Sequence, residues 1–253
     1  WSSDVCSSDL YHPYMTQDTA LEILKTGANV FLTGEPGSGK THTVNGYIHY
    51  LREHGIEPSI TASTGIAATH VGGMTIHAWS GIGIKRFLTD YDLDALSSRE
   101  TLVRRVATTK VLIIDEISML DGIILGLVDK VLRSIRRSEE PFGGIQMVFV
   151  GDFFQLPPIP EKSGGLEQRL MPQFAFTSPA WKEANPLVCY LTEQHRQDDE
   201  VFLSALSMIR SGELEESLGE IFEDRRLGGE LEVPENVPLL YTHNMDVDRK
   251  NNE

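Results

Sequence analysis

The residues Gly34-Glu35-Pro36-Gly37-Ser38-Gly39-Lys40-Thr41 have the composition and spacing of a phosphate-binding loop. Gly37 and Gly39 let backbone N–H groups close around phosphate oxygens with no side chain in the way. Lys40 offers a mobile positive charge to the outer phosphates, and Thr41 offers a hydroxyl to Mg²⁺. Gly34 and Ser38 complete the loop. Further on, VLIIDEISML (Val111 to Leu120) is an apolar run that ends in two acids. Asp115 suits a ligand of the same Mg²⁺, and Glu116 suits a base that takes a proton from attacking water. Adjacent acids of this kind also occur at an ordinary loop start. With a phosphate loop upstream they point instead to hydrolysis of a nucleotide, ATP, with Mg²⁺ as cofactor.

A third stretch, VFVGDFFQLPPI (Val148 to Ile159), leaves an apolar strand for two phenylalanines, a glutamine and two prolines. Strand ends of a parallel sheet open onto one edge, so Gly34, Asp115 and Asp152 should meet there, with Gln155 over the terminal phosphate. An uncharged amide can donate to that phosphate and lose the bond when the phosphate leaves. Phe153 and Phe154 offer flat faces to unpaired bases, and each reads equally well as core packing.

The elements that must hold these residues follow from the hydrophobic pattern. A short helix is expected from Thr16, its cap, to Lys25, with Gly27 as stop. Strands are expected over 29–33, 59–63, 110–116, 144–152 and 186–193, and helices over 40–54, 119–137 and 201–209. Strands alternating with helices imply an α/β fold with a parallel sheet flanked by helices. The Gly- and Thr-rich stretch after Ser63 reads as loop and broken helix, and residues 84–108 as a small insertion. VPLLYTHNMDVDRKNNE, at the end of the chain, begins a further strand-then-helix pattern.

At 253 residues, 40% hydrophobic and 23% charged, the chain suits a folded globular protein. No apolar run approaches the roughly 18 residues that span a bilayer, so no membrane partner and a cytoplasmic setting are expected. The formal charge of −15 argues against coating nucleic acid through bulk positive charge but leaves room for a local groove. Cys6 and Cys189 are isolated, and His49 and His54 read as helix-surface residues rather than ligands. Residues 1–12 include WSSDVCSSDL, which resembles translated adapter and is expected to be an artefactual or disordered tail.

The order GEPGSGKT, ASTGIAA, IIDEISM, GDFFQLPPI and LTEQHRQ resembles the motif series of superfamily-one helicases. DKVLRSIRRSEEPFGGIQMV, FAFTSPAW and FLSALSMIRSGEL are similar to segments of the petite-integration-frequency (Pif) family of DNA helicases, and the likeness runs from about Tyr14 to the end. The resemblance implies RecA-like P-loop NTPase architecture, with a first ATPase domain over 13–195, a helical connector over 196–236 and the truncated start of a second RecA-like domain over 237–253. It implies a 5′-to-3′ DNA helicase motor domain that couples ATP hydrolysis to translocation on single-stranded DNA, acting as a monomer at duplex junctions in repair, recombination or genome maintenance. It further assigns Gln17 to adenine reading, Arg196 to the outer phosphate, and Thr64, Gly65, His77 and Phe153 to the DNA channel. Without the resemblance, Arg196 reads as a surface arginine pairing with Glu200, and His77 as a satisfied loop histidine. The helix-borne Arg133, Arg136 and Arg137 read as a solvated face. With later family motifs absent, the chain is expected to bind nucleotide weakly, hydrolyse it slowly and not unwind. The competing readings are a P-loop kinase or phosphotransferase, a RecD- or Dda-type helicase, and a non-catalytic DNA-binding module.

Overall fold

A computed structural model describes residues 15–159, 173–192, 200–212, 216–223, 226 and 237–252. Two compact units divide at Glu200 and Val201.

The first unit is built on a six-stranded parallel sheet with strands β1 (Val30–Gly34), β2 (Ser59–Ala62), β3 (Met74–Thr75), β4 (Val111–Asp115), β5 (Gln146–Val150) and β6 (Leu187–Leu191). Their spatial order is β3-β2-β4-β5-β1-β6. The central strands are short apolar runs because both faces of the sheet are covered. Register pairs Phe31 with Phe149 and Leu32 with Val150, so side chains alternate between two cores. On one face Leu32, Ile113, Val148 and Val150 pack with Leu24 and Tyr47. These last two come from α1 (Gln17–Lys25) and α2 (Lys40–Glu53). On the other face Phe31, Leu112, Ile114 and Phe149 pack with Val128, Leu132 and Phe142. Each fully buried leucine or isoleucine contributes about 1.5–3 kcal/mol, so the apolar strands are the main stabilising component.

The expected first helix is present: Thr16 accepts the N–H of Thr19, and Gly27 follows the last turn at φ 85°. The stretch after Ser63 resolves into α3 (Gly65–His70), the two-residue strand β3 and α4 (Ile76–Trp79). Residues 84–108, expected as a small insertion, hold α5 (Asp90–Ser97) and α6 (Glu100–Thr108). Leu96, Leu102 and Val106 bury themselves in the core with α7 (Gly122–Arg136), so these helices are structural members of one covering layer.

The arginines of α7 are a correction to the sequence reading. Arg133 pairs with Asp129 and with Glu183 of α8 (Pro179–Ala184), and Arg136 donates to the carbonyls of Val106 and Thr109. A half-buried guanidinium with fixed acceptors is a structural tie, not a solvated face. PFGGIQ explains the other end of that tie. Phe142, at φ 52°, donates its N–H to Asp129 at 2.6 Å and buries its ring against Phe149. Gln146 donates to the carbonyls of Leu24 and Ala28 and accepts the Tyr47 hydroxyl at 2.8 Å, fastening α1 and α2 to β5.

The second unit contains α9 (Glu200–Ser211), which begins at the boundary, α10 (Glu216–Glu223) and α11 (Asn244–Asn251). The helix expected over 201–209 is α9. The strand expected before α11 does not form over 237–241, where Leu240 is fully exposed. A strand is stabilised only when a neighbouring strand takes up its hydrogen bonds.

Candidate active site

The carboxyl ends of β1, β4 and β5, adjacent in the order β4-β5-β1, bring the three chemical stretches to one edge. β1 runs directly into the phosphate loop, and α2 begins at Lys40 with Gly39 left-handed ahead of it. Gly34 cannot be replaced without movement. A Cβ there would stand 2.6 Å from the Leu191 carbonyl oxygen, at φ 146°. The Lys40 ammonium donates to the carbonyls of Gly34 at 2.8 Å and Glu35 at 3.0 Å. Thr41 lies exposed on the first turn of α2, and Ser38 is buried. Gln17, on α1, donates its amide to the Ser38 carbonyl at 3.3 Å and lies directly over Gly39. The structure thus brings Gln17, Gly34, Gly37, Ser38, Gly39, Lys40 and Thr41 together.

Asp115 ends β4, half-buried, and accepts the Glu116 N–H at 2.9 Å. Glu116 occupies the left-handed region at φ 52°, ψ 44°, which turns the chain sharply into the 3₁₀ turn Ile117–Met119. Burial raises the pKa of Asp115, while the Glu116 N–H and Lys40 work against the rise. Burial also raises the pKa of Glu116; Asp115 and Asp152 add to the effect, and Lys40 opposes it. Lys40, Asp115, Glu116 and Asp152 therefore form one electrostatic group.

Asp152, only 1% exposed, organises the loop after β5. Its carboxylate accepts the Phe154 N–H at 3.1 Å and the Gln155 amide at 3.2 Å. Gln155 is exposed and donates to Asp152, whose charge in turn acts on Glu116. The sequence reading used Asp152 only as a strand-end marker. Its signal was an acid one glycine beyond an apolar strand, near the strand-end position that Asp115 holds in IIDE.

The residues expected at a DNA channel divide. Thr64 caps α3 by accepting the Ala67 N–H, and the adjoining Gly65 is exposed, both just beyond β2. His77 is half-buried on α4, and burial pushes its pKa below the ordinary value. Phe153 is the exception: its ring turns inward among Phe31, Phe174, Phe176 and Trp181, so the exposed ring of this loop is Phe154, at 55%. Half-buried among four rings, Phe153 follows the core-packing reading that the sequence offered beside the stacking one. Arg196 lies outside the described residues. No cluster of metal-ligating His, Cys, Asp and Glu occurs among the described residues, and no helix among them is long and apolar enough to cross a membrane.

Comparison with known proteins bears on this arrangement. The sequence model of the family described as PIF1-like helicase matches residues 16–217. The ATP-dependent DNA helicase Pif1 of Psychrobacter is 51% identical over 94% of this chain, and the ATP-dependent DNA helicase RRM3 of Saccharomyces cerevisiae is 43% identical over 76% of it. The chain spans 36% and 26% of the lengths of those two relatives. Among solved structures, the Pif1 helicase of Candida albicans superposes with a TM-score of 0.82 at 34% identity, covering 93% of this chain and 52% of that one. A Bacteroides Pif1 helicase in complex with ADP-AlF3 and single-stranded DNA superposes with a TM-score of 0.75 at 30% identity, covering 93% of this chain and 55% of that one. Those matches span both faces of the sheet and the loops at its carboxyl edge, and the chain belongs to the PIF1-like helicase family.

Proposed function

We propose that this chain is the first RecA-like part, over residues 13–195, of an ATP-dependent DNA helicase that moves 5′ to 3′ on single-stranded DNA, followed by a helical connector and the start of a second such part. One observation carries the reading: Lys40, the Asp115–Glu116 pair and the Asp152–Gln155 pair meet at one sheet edge, beside a loop shaped for phosphates. The Bacteroides relative bound to ADP-AlF3 and single-stranded DNA supports both ligands.

ATP phosphates enter between the backbone N–H groups of residues 34–41 and the start of α2. Lys40 exchanges the carbonyls of Gly34 and Glu35 for the outer phosphates. Gln17 reads the adenine from its place over Gly39. Mg²⁺ fits the donor set, because the Thr41 hydroxyl and Asp115 carboxylate are hard oxygen ligands at the same edge of the sheet. When bound, the ion neutralises phosphate charge. Glu116 takes the proton of attacking water, and its raised pKa makes it a more competent base near neutral pH. Gln155 donates to the terminal phosphate and is released when that group leaves. Arg196 supplies the rigid fork that stabilises transferred charge. Thr64, Gly65 and His77 border the DNA path. Because burial favours neutral His77, it meets DNA as a hydrogen-bonding ring and not as a cation.

The test is ATP hydrolysis by the full-length protein with and without single-stranded DNA. Strong stimulation that is lost in Lys40→Ala is the expected result. Unstimulated turnover, or phosphoryl transfer to a small acceptor, would overturn the helicase reading in favour of a kinase.

A further inference from the structure

Asp152 and Pro158 are buried, Phe153 is half-buried, and residues 154–157 are exposed. The Phe153 ring centroid lies 5.1 Å from Phe31, 4.8 Å from Phe176, 5.8 Å from Phe174 and 5.9 Å from Trp181. Trp181 joins these parts. It stacks on Phe149 of β5 at 4.5 Å and meets Phe31 of β1 edge-on at 5.3 Å, so it grips the two strands that feed the phosphate loop and the Gln155 loop. Its helix, α8, is in turn tied to α7 through Glu183 and Arg133. Phe174 and Phe176 stack on each other at 5.2 Å, and both meet Phe153 edge-on.

We propose that Trp181 is a positioning residue for phosphate sensing. With Phe174 and Phe176 it fixes Phe153, and Phe153, two residues from Gln155, sets where the amide stands relative to the terminal phosphate. The inference rests on the nucleotide-site reading above and extends it to residues 174–181, which touch no phosphate themselves. Edge-to-face ring contacts are directional, so they define a position where aliphatic packing would only fill space. Small misplacements of a reacting or sensing group have large effects.

The experiment measures affinities of this chain for Mg²⁺–ATP and Mg²⁺–ADP by displacement of a fluorescent nucleotide. Wild type is compared with Trp181→Ala, Trp181→Phe, Phe153→Leu, Gln155→Ala and the Trp181→Ala/Gln155→Ala double variant. Trp181→Ala and Gln155→Ala should each reduce the preference for ATP over ADP by roughly tenfold with ADP affinity unchanged, and the double variant should lose no more than either alone. Trp181→Phe should restore most of the preference, and Phe153→Leu should reproduce the loss. Should Trp181→Ala fail to fold, Phe153→Leu and its combination with Gln155→Ala give the same comparison. Equal weakening of ATP and ADP, additive losses, or a lowered melting temperature with the preference intact would overturn the inference. A wild-type chain with no preference for ATP would overturn it as well. If Lys40→Ala binds ATP as wild type does, the nucleotide-site reading itself fails. If Lys40→Ala loses ATP while Trp181→Ala keeps the preference, only the positioning role fails.

Discussion

The Lys40 ammonium stands 2.8 Å from the carbonyl oxygen of Gly34, on the loop that would receive a phosphate. The charge is stored on the loop's own backbone, a short swing from its proposed destination. Lys40→Ala should therefore remove an electrostatic contribution that grows as phosphate charge develops. ATP hydrolysis by the full-length protein should fall about 100-fold or more, the scale seen when a preorganised donor is removed. Steady-state phosphate release checks this, with thermal melting as control.

Glu116 and Asp115 both have raised pKa values, chiefly through burial. Between the ordinary carboxylate pKa and the raised one, the folded state holds protons that the unfolded state has released. Stability of the nucleotide-free protein should therefore fall as pH rises through that window. Glu116→Gln should flatten this dependence and melt at a higher temperature than wild type at neutral pH, each 1 kcal/mol appearing as about 2–4 °C at this chain length. Melting curves from acid to neutral pH test the sign. Hydrolysis should show the opposite trend, falling as acid protonates Glu116.

Asp129 accepts the Phe142 N–H and both pairs with and orients Arg133. Asp129→Ala would leave a buried N–H and a half-buried guanidinium without that partner, costing about 2–4 kcal/mol. Glu183→Gln, at the more exposed end of the same arginine, should cost under about 1 kcal/mol. Chemical denaturation distinguishes them.

Gln17 lies over Gly39 with its amide on the Ser38 carbonyl. If it reads adenine, Gln17→Ala should reduce the preference for ATP over GTP by about tenfold, near the value of one hydrogen bond. Competition binding with the two nucleotides measures it.

The parts of this molecule that were legible in the sequence are those with local rules. The Thr16 cap, the glycine-spaced loop and the apolar run ending at Asp115 each state their geometry within a few residues. β3 was missed because Met74–Thr75 is too short to show a period. α5 and α6 carried readable signals, a Thr89–Asp92 capping box and the four-residue spacing of Leu102 and Val106, hidden among polar neighbours. Arg133 was misread, and the choice between two readings of Phe153 left open, for a different reason. Phe31 and Glu183 lie far away in sequence and only the fold brings them within reach, whereas the Asp129–Arg133 pair, four residues apart on α7, obeys a local helical spacing. Asp152 was placed at the right edge by its position after an apolar strand, but its hydrogen bonds to Phe154 and Gln155 were not legible there.

Glu116 is held at φ 52°, ψ 44°, a conformation that a residue with a Cβ enters only at a cost of about 1–2 kcal/mol. Glycine would sit there without that penalty and would also remove a half-buried negative charge. A breeding scheme that rewarded heat tolerance alone would thus drift toward glycine at this position and produce a sturdier protein without the proposed base. On the role proposed for Glu116, this is a place where endurance and turnover pull in opposite directions.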